Sequence, residues 1–126
     1  MNVLIVEDNK PVGLMLGRVV SELGLGVLMA RDGEGALRMF RQREVDLILM
    51  DIQLPGLDGL EVTREIRSED STLPVILISG DSGEQWRQRA RSAGATEFLG
   101  KPLRPSELSG ALRRHLQLTA PEPGAS

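Results

Sequence analysis

The chain has 126 residues, no cysteine and a formal net charge of −3, so it is one domain's worth of sequence with neither a disulfide framework nor a thiolate metal site. Eighteen acidic against fifteen basic residues argue against a phosphate-binding surface, which shows as a basic excess; direct nucleic-acid binding is not expected, and DNA contact would have to come from another domain. The apolar runs fall far short of the ~20 residues that span a bilayer, and Met1 precedes Asn2 rather than a basic leader, so no membrane contact and a cytoplasmic location are expected.

Taken in order, NVLIV is a short run rich in β-branched residues that suits a strand buried on both faces, and Glu7 and Asp8 follow it. Val12, Leu16, Val19, Val20 and Leu23 then make one helical stripe, with Pro11 near its start and Gly24 at its stop. GVLMA reads as the second strand and VDLILM as the third, the latter running straight into Asp51 and the polar turn QLPGLDG. In open α/β sheets the carboxyl ends of strands gather ligands and chemistry, which makes Asp51 a candidate; the plainer reading is an Asx turn in which its carboxylate accepts from loop N–H groups. Asp58 with Gly59 reads as cap chemistry for the next helix.

PVILIS is the fourth strand, ending at Ser79. The segment EQWRQRARSAG offers only Trp86, Ala90 and Ala93 as apolar points among Arg and Gln, so it predicts a loosely held helix of the kind that moves. EFL is the fifth strand, followed by Gly100, Lys101 and Pro102; a last helix carries Leu108, Ala111, Leu112 and Leu116, with His115 on its surface. TAPEPGAS has linker composition, which divides the chain into a domain over 1–118 and a tail or the start of a linker over 119–126.

Strands and helices in strict alternation imply right-handed βαβ crossovers and a doubly wound parallel sheet with helices on both faces. Parallel topology then gathers the residues after each strand at one edge: Glu7, Asp8, Asp51, Ser79 and Lys101. Three carboxylates against one ammonium repel; at ~4 Å and an effective dielectric near 20 each like-charge contact costs about 4 kcal/mol, which a divalent cation reverses. All-oxygen ligation favours Mg²⁺, which takes one or two carboxylates and leaves room for a phosphate partner. Each residue also has an ordinary reading: Glu7 and Asp8 as caps of the first helix, Lys101 as a solvated lysine, Phe98 as core.

VEDN, LMDIQLPGLDG, ISG and FLGKP fall in the order and spacing of the receiver domains of two-component response regulators, which the chain closely resembles over residues 2 to about 117. The resemblance implies the flavodoxin-like strand order 2-1-3-4-5. It implies Asp51 as phosphoacceptor, Mg²⁺ held by Asp8, Asp51 and the backbone carbonyl of Gln53, and Glu7 on a metal-bound water. Lys101 and Ser79 would contact phosphoryl oxygens, Pro102 would follow a cis peptide, and Ser79 with Phe98 would form the conformational switch. Gln53 and Asp81 would flank the path of a hydrolytic water and tune phosphoryl lifetime. The implied donors are a histidine kinase or a histidine phosphotransfer domain, and the implied response involves a partner or homodimer through the helix 4–strand 5–helix 5 face.

Two features depart from many receivers: Gln53 stands where Met is common and Phe98 where Tyr is common. VEDN with MDIQLPGLDGLEVTREIR is most similar to receivers attached to hybrid histidine kinases, and a hybrid-kinase fragment, a truncated regulator and a stand-alone receiver all fit. Self-phosphorylation apart, no enzyme is expected, since no separate acid or base for turnover of a small phosphate ester is visible in the motifs. The alternative is a pseudo-receiver, a binding module that keeps the fold and ignores phosphate.

Overall fold

The structure is a computed structural model and describes residues 1–81 and 83–118; the expected tail, 119–126, lies outside the described residues. Elements alternate throughout: β1 (Asn2–Val6), α1 (Lys10–Glu22), β2 (Gly26–Ala30), α2 (Gly33–Gln42), β3 (Leu47–Asp51), α3 (Gly59–Glu69), β4 (Val75–Ser79), α4 (Glu84–Ala93), β5 (Glu97–Gly100) and α5 (Pro105–Leu116). All four strand pairings are parallel and the order is β2-β1-β3-β4-β5, as the resemblance implies.

The two-residue period of the strands sorts their side chains between two cores. Leu4, Ile48, Met50, Val75 and Leu77 face α2, α3 and α4, packing on Ala36, Val62, Ile66 and Ala90. Val3, Ile5, Leu47, Leu49, Ile76 and Ile78 face α1 and α5, packing on Leu16, Val20, Leu108 and Leu112. β3 and β4 are buried at every position, which is why they read as unbroken apolar runs rather than alternating ones. Each fully buried Leu or Ile contributes about 1.5–3 kcal/mol of transfer free energy, so the centre of the sheet is the stiffest platform available for a site.

Register fixes what meets at the carboxyl edge. Val6 pairs with Met50, so Glu7 and Asp51 follow side by side; Asp51 pairs with Ile78 and Ser79 with Gly100. Among the described residues no helix is long and apolar enough to cross a membrane.

Candidate functional site

Asp51 is the last residue of the central strand β3, and its backbone is held from behind. Gly59, first residue of α3, lies so close that a Cβ there would come 2.6 Å from the Asp51 carbonyl oxygen and 2.8 Å from Ile52 Cα; only glycine lets the helix start on that spot. Asp58 caps α3 with a full capping box, its Oδ1 accepting from Glu61 N at 2.9 Å, as its position in the turn predicts. The Asx-turn reading of Asp51 is also realised, because Gln53 N donates to Asp51 Oδ1 at 2.9 Å. That turn uses one carboxylate oxygen and leaves the other aimed into the pocket.

There Lys101 Nζ donates to Asp51 Oδ2 at 2.6 Å and to Glu7 Oε1 at 3.1 Å. The backbone of Lys101 is tied to the end of β4, Lys101 N donating to Ser79 O at 2.8 Å; the Lys101–Pro102 peptide is cis. Glu7 and Asp51 are 3% and 5% exposed, whereas Asp8 stands in solvent. Carboxylate oxygens of Glu7, Asp8 and Asp51 lie within 4.8 Å of one another, a grouping able to hold a metal ion.

Burial pushes the Glu7 carboxyl above its ordinary pKa, and the nearby Asp51 charge adds to that; hydrogen bonds from Lys101 and the Asn9 backbone offset it only in part. Burial alone would lower Lys101, but its hydrogen bonds to Asp51 and Glu7 outweigh it and the ammonium is raised above the usual lysine value. The pocket therefore keeps its one cation firmly charged while leaving an excess of negative charge for a further cation to neutralise.

The edge gathers the other candidates less tightly. Ser79 is buried, and its Oγ accepts from Asp81 N at 3.0 Å. Gln53 and Asp81 are exposed at the rim. Phe98, the expected switch aromatic, is already buried at 9% exposure, with the Arg87 guanidinium 5.1 Å over its ring; the ring is shielded by a charged lid that no apolar pattern announces. The reading of Glu7 and Asp8 as helix caps is corrected. Asn9 is the cap of α1, accepting from Val12 N at 3.1 Å, and its own N–H donates to Glu7 Oε2 at 3.2 Å. The signal for it was Asn directly before a helix with Pro at its second position. His115 is likewise no free surface residue: it pairs with Glu97 on β5, which also takes Arg114 at 2.8 Å.

Comparison with known proteins decides what this edge is. The response regulator receiver domain family matches residues 3–113. The chain belongs to that family. This receiver domain is 36% identical over 125 residues to the response regulator MprA of Mycobacterium avium, across 99% of this chain and 55% of that protein; the chain spans about half the length of the curated relatives it matches. A putative response regulator from Chloroflexus aurantiacus superposes with a TM-score of 0.88 at 30% identity, covering 92% of this chain and 97% of that one. The receiver domain of the sensor histidine kinase PA1611 from Pseudomonas aeruginosa, which carries a magnesium ion in its active site cleft, gives a TM-score of 0.85 at 33% identity, covering 92% and 97%. The receiver's acidic pocket, Glu7, Asp8 and Asp51, is of the kind typical of phosphoacceptor sites in two-component response regulators.

Proposed function

We propose that Asp51 is the phosphoacceptor and that its modification drives a conformational response. The observation that carries this reading is the carboxylate itself: buried at the end of β3, with one oxygen on Gln53 N and the other on the Lys101 ammonium. The carboxylate oxygen attacks phosphorus, the bond from phosphorus to a phosphohistidine nitrogen or an acyl oxygen breaks, and the departing group leaves with its electron pair. No proton need be taken from the nucleophile, so the site asks for positioning and charge neutralisation rather than a base. Lys101, already raised in pKa, transfers its contacts from Asp51 Oδ2 to the arriving phosphoryl oxygens, and the Ser79 hydroxyl donates a charge-assisted hydrogen bond to another.

Glu7, Asp8 and Asp51 fit a small hard cation, and the Gln53 backbone carbonyl is proposed as a further oxygen ligand. When bound, Mg²⁺ supplies neutralisation of the phosphoryl charge. Glu7 would hold a water beside such a cation, and Gln53 and Asp81 at the rim would set how fast water reaches the acyl phosphate. The donor is a histidine kinase or a phosphotransfer histidine, which places the domain in the cytoplasm. The only chemistry assigned to the chain is its own phosphorylation and dephosphorylation. Ser79 and Phe98 form the switch, the change at Phe98 being a repacking of a buried ring with Arg87. The responding face is α4–β5–α5, where a partner or a second copy docks, and 1–118 is the folded unit, with 119–126 its tail or linker.

Acetyl phosphate with Mg²⁺ tests the assignment by intact mass. Wild type gains one phosphoryl increment and Asp51→Asn gains none; an equal increment on the variant overturns it, and no uptake by wild type with no Mg²⁺ binding favours the phosphate-independent module.

A further inference from the structure

Arg67, in the last turn of α3, joins the segments around the far end of α4. Its Nε donates at 2.7 Å to the carbonyl of Gly94, the residue that closes α4, its Nη2 at 3.1 Å to Thr96 Oγ1 ahead of β5, and its Nη1 at 3.1 Å to Asp70 O in the turn toward β4. Thr96 extends the tie into the sheet: its Oγ1 accepts from Val75 N at 3.0 Å and its N–H donates to Val75 O at 2.7 Å. One planar, rigid fork of donors thus serves three acceptors. Gly94 is in the left-handed region at φ 102, and a Cβ there would come 2.6 Å from Arg67 Cγ, so glycine permits both the chain reversal and the approach of the arginine.

Among the described residues, the other end of α4 has no comparable side-chain fork. It starts from Gly83, which offers no side chain to cap it. Its buried residues, Ala90 and Ala93, both lie in the C-terminal half. Toward the start, Trp86 Nε1 is buried without a partner among the described residues, and the nearby contacts are softer ring stackings, Arg89 over Trp86 at 5.0 Å and Arg87 over Phe98 at 5.1 Å.

We propose that Arg67 is a positioning residue that fixes α4 at its C-terminal end, so that α4 moves as a lever about Gly94 with displacement growing toward Trp86 and Gly83. The signal-driven part of this rests on the switching reading above; the fulcrum itself is a property of the resting chain. It also bears on the rim, because the free end of the lever adjoins the Ser79–Asp81 loop, where Asp81 Oδ1 accepts from Gly83 N at 3.3 Å.

Amide hydrogen exchange on the full chain tests it, with wild type, Arg67→Met and Arg67→Lys, each with and without Mg²⁺ and a beryllofluoride phosphoryl mimic. At rest, Ala95 and Thr96 are protected on the order of tenfold more than Trp86 and Arg87. Arg67→Met lowers protection at Ala95 and Thr96 by about tenfold beyond any global loss seen in urea unfolding, and Arg67→Lys by less, since an ammonium replaces part of the fork. With the mimic, the wild-type change stays in the first half of α4, whereas in Arg67→Met it spreads to Ala95 and Thr96. Should Arg67→Met fail to fold, Arg67→Lys and Thr96→Val carry the same comparison. Uniform protection along resting α4, or an unaltered 95–96 segment in the variants, overturns the fulcrum. A mimic that binds but changes no amide in any variant overturns the switching reading instead, leaving the resting gradient to decide this one.

Discussion

Lys101 Nζ lies 2.6 Å from Asp51 Oδ2, so the pocket's cation occupies the same oxygen that is proposed to take the phosphoryl group. The ammonium balances buried charge before any ligand arrives. Lys101→Met therefore leaves Glu7 and Asp51 buried with less compensation, and lowers metal-free stability by about 1–3 kcal/mol. Urea unfolding with and without Mg²⁺ reads this: the deficit shrinks when Mg²⁺ is present, and an equal deficit in both conditions counts against charge as its cause.

Asp8 is the exposed member of the acidic group, so it contributes little to folding and much to holding a cation. Mg²⁺ at about 100 times its dissociation constant stabilises the wild type by about 2.7 kcal/mol. In Asp8→Ala the metal-free melting temperature stays within a degree or two of wild type, on the order of a surface substitution, while most of the Mg²⁺-dependent rise disappears. Retention of the full rise would remove Asp8 from the ligand set.

Ser79 joins the pocket to the loop that leads to α4, through the hydrogen bond from Asp81 N to its Oγ. Mg²⁺ plus beryllofluoride is expected to change Trp86 fluorescence in wild type, because charge-assisted bonds draw the hydroxyl toward the new oxygens. Ser79→Ala reduces that change by half or more, roughly the loss of one such bond, without altering Mg²⁺ affinity. A full response in the variant would route the coupling elsewhere.

Glu97 gives the pH prediction. Burial raises its pKa, but hydrogen bonds from His115 and Arg114 outweigh burial and hold the carboxyl below its ordinary value of 4.5. A depressed carboxylate adds stability that is present above the unfolded value and is lost as pH falls through the folded one. Wild type should accordingly lose this contribution from about pH 4.5 downward, and Glu97→Gln should show a shallower acid limb, with a smaller difference between the two proteins at about pH 3 than at pH 7. Parallel curves for the two proteins would show that the Glu97 cluster adds nothing.

The strands and the pocket are legible in the sequence for one reason. Central parallel strands must be apolar on both sides, so NVLIV, LILM and VILI stand out, and parallel topology sends the residues after each of them to one edge. Arg67 gives no such signal. Besides Asp70 O in the adjacent turn, its partners are the Gly94 carbonyl and the Thr96 hydroxyl, 27 and 29 residues away, and bonds from a side chain to groups so distant leave no periodicity. His115 is misread for a similar reason: a polar residue on an amphipathic helix looks solvated until the edge strand beside it is known to carry Glu97. Asn9 sits between these cases, readable from its place before the helix, though not from its grip on Glu7.

The Asx turn at Asp51 gives that side chain a fixed orientation that free aspartate lacks. In solution the carboxylate plane turns freely about the Cβ–Cγ bond. Here any such turn must first break the hydrogen bond from Gln53 N to one oxygen and the ion pair from Lys101 to the other, so the plane is held. The carboxylate is thus desymmetrised before it reacts: Oδ1 belongs to the loop, Oδ2 to the cleft, and the orientational search that an unrestrained side chain would have to make has been completed by folding.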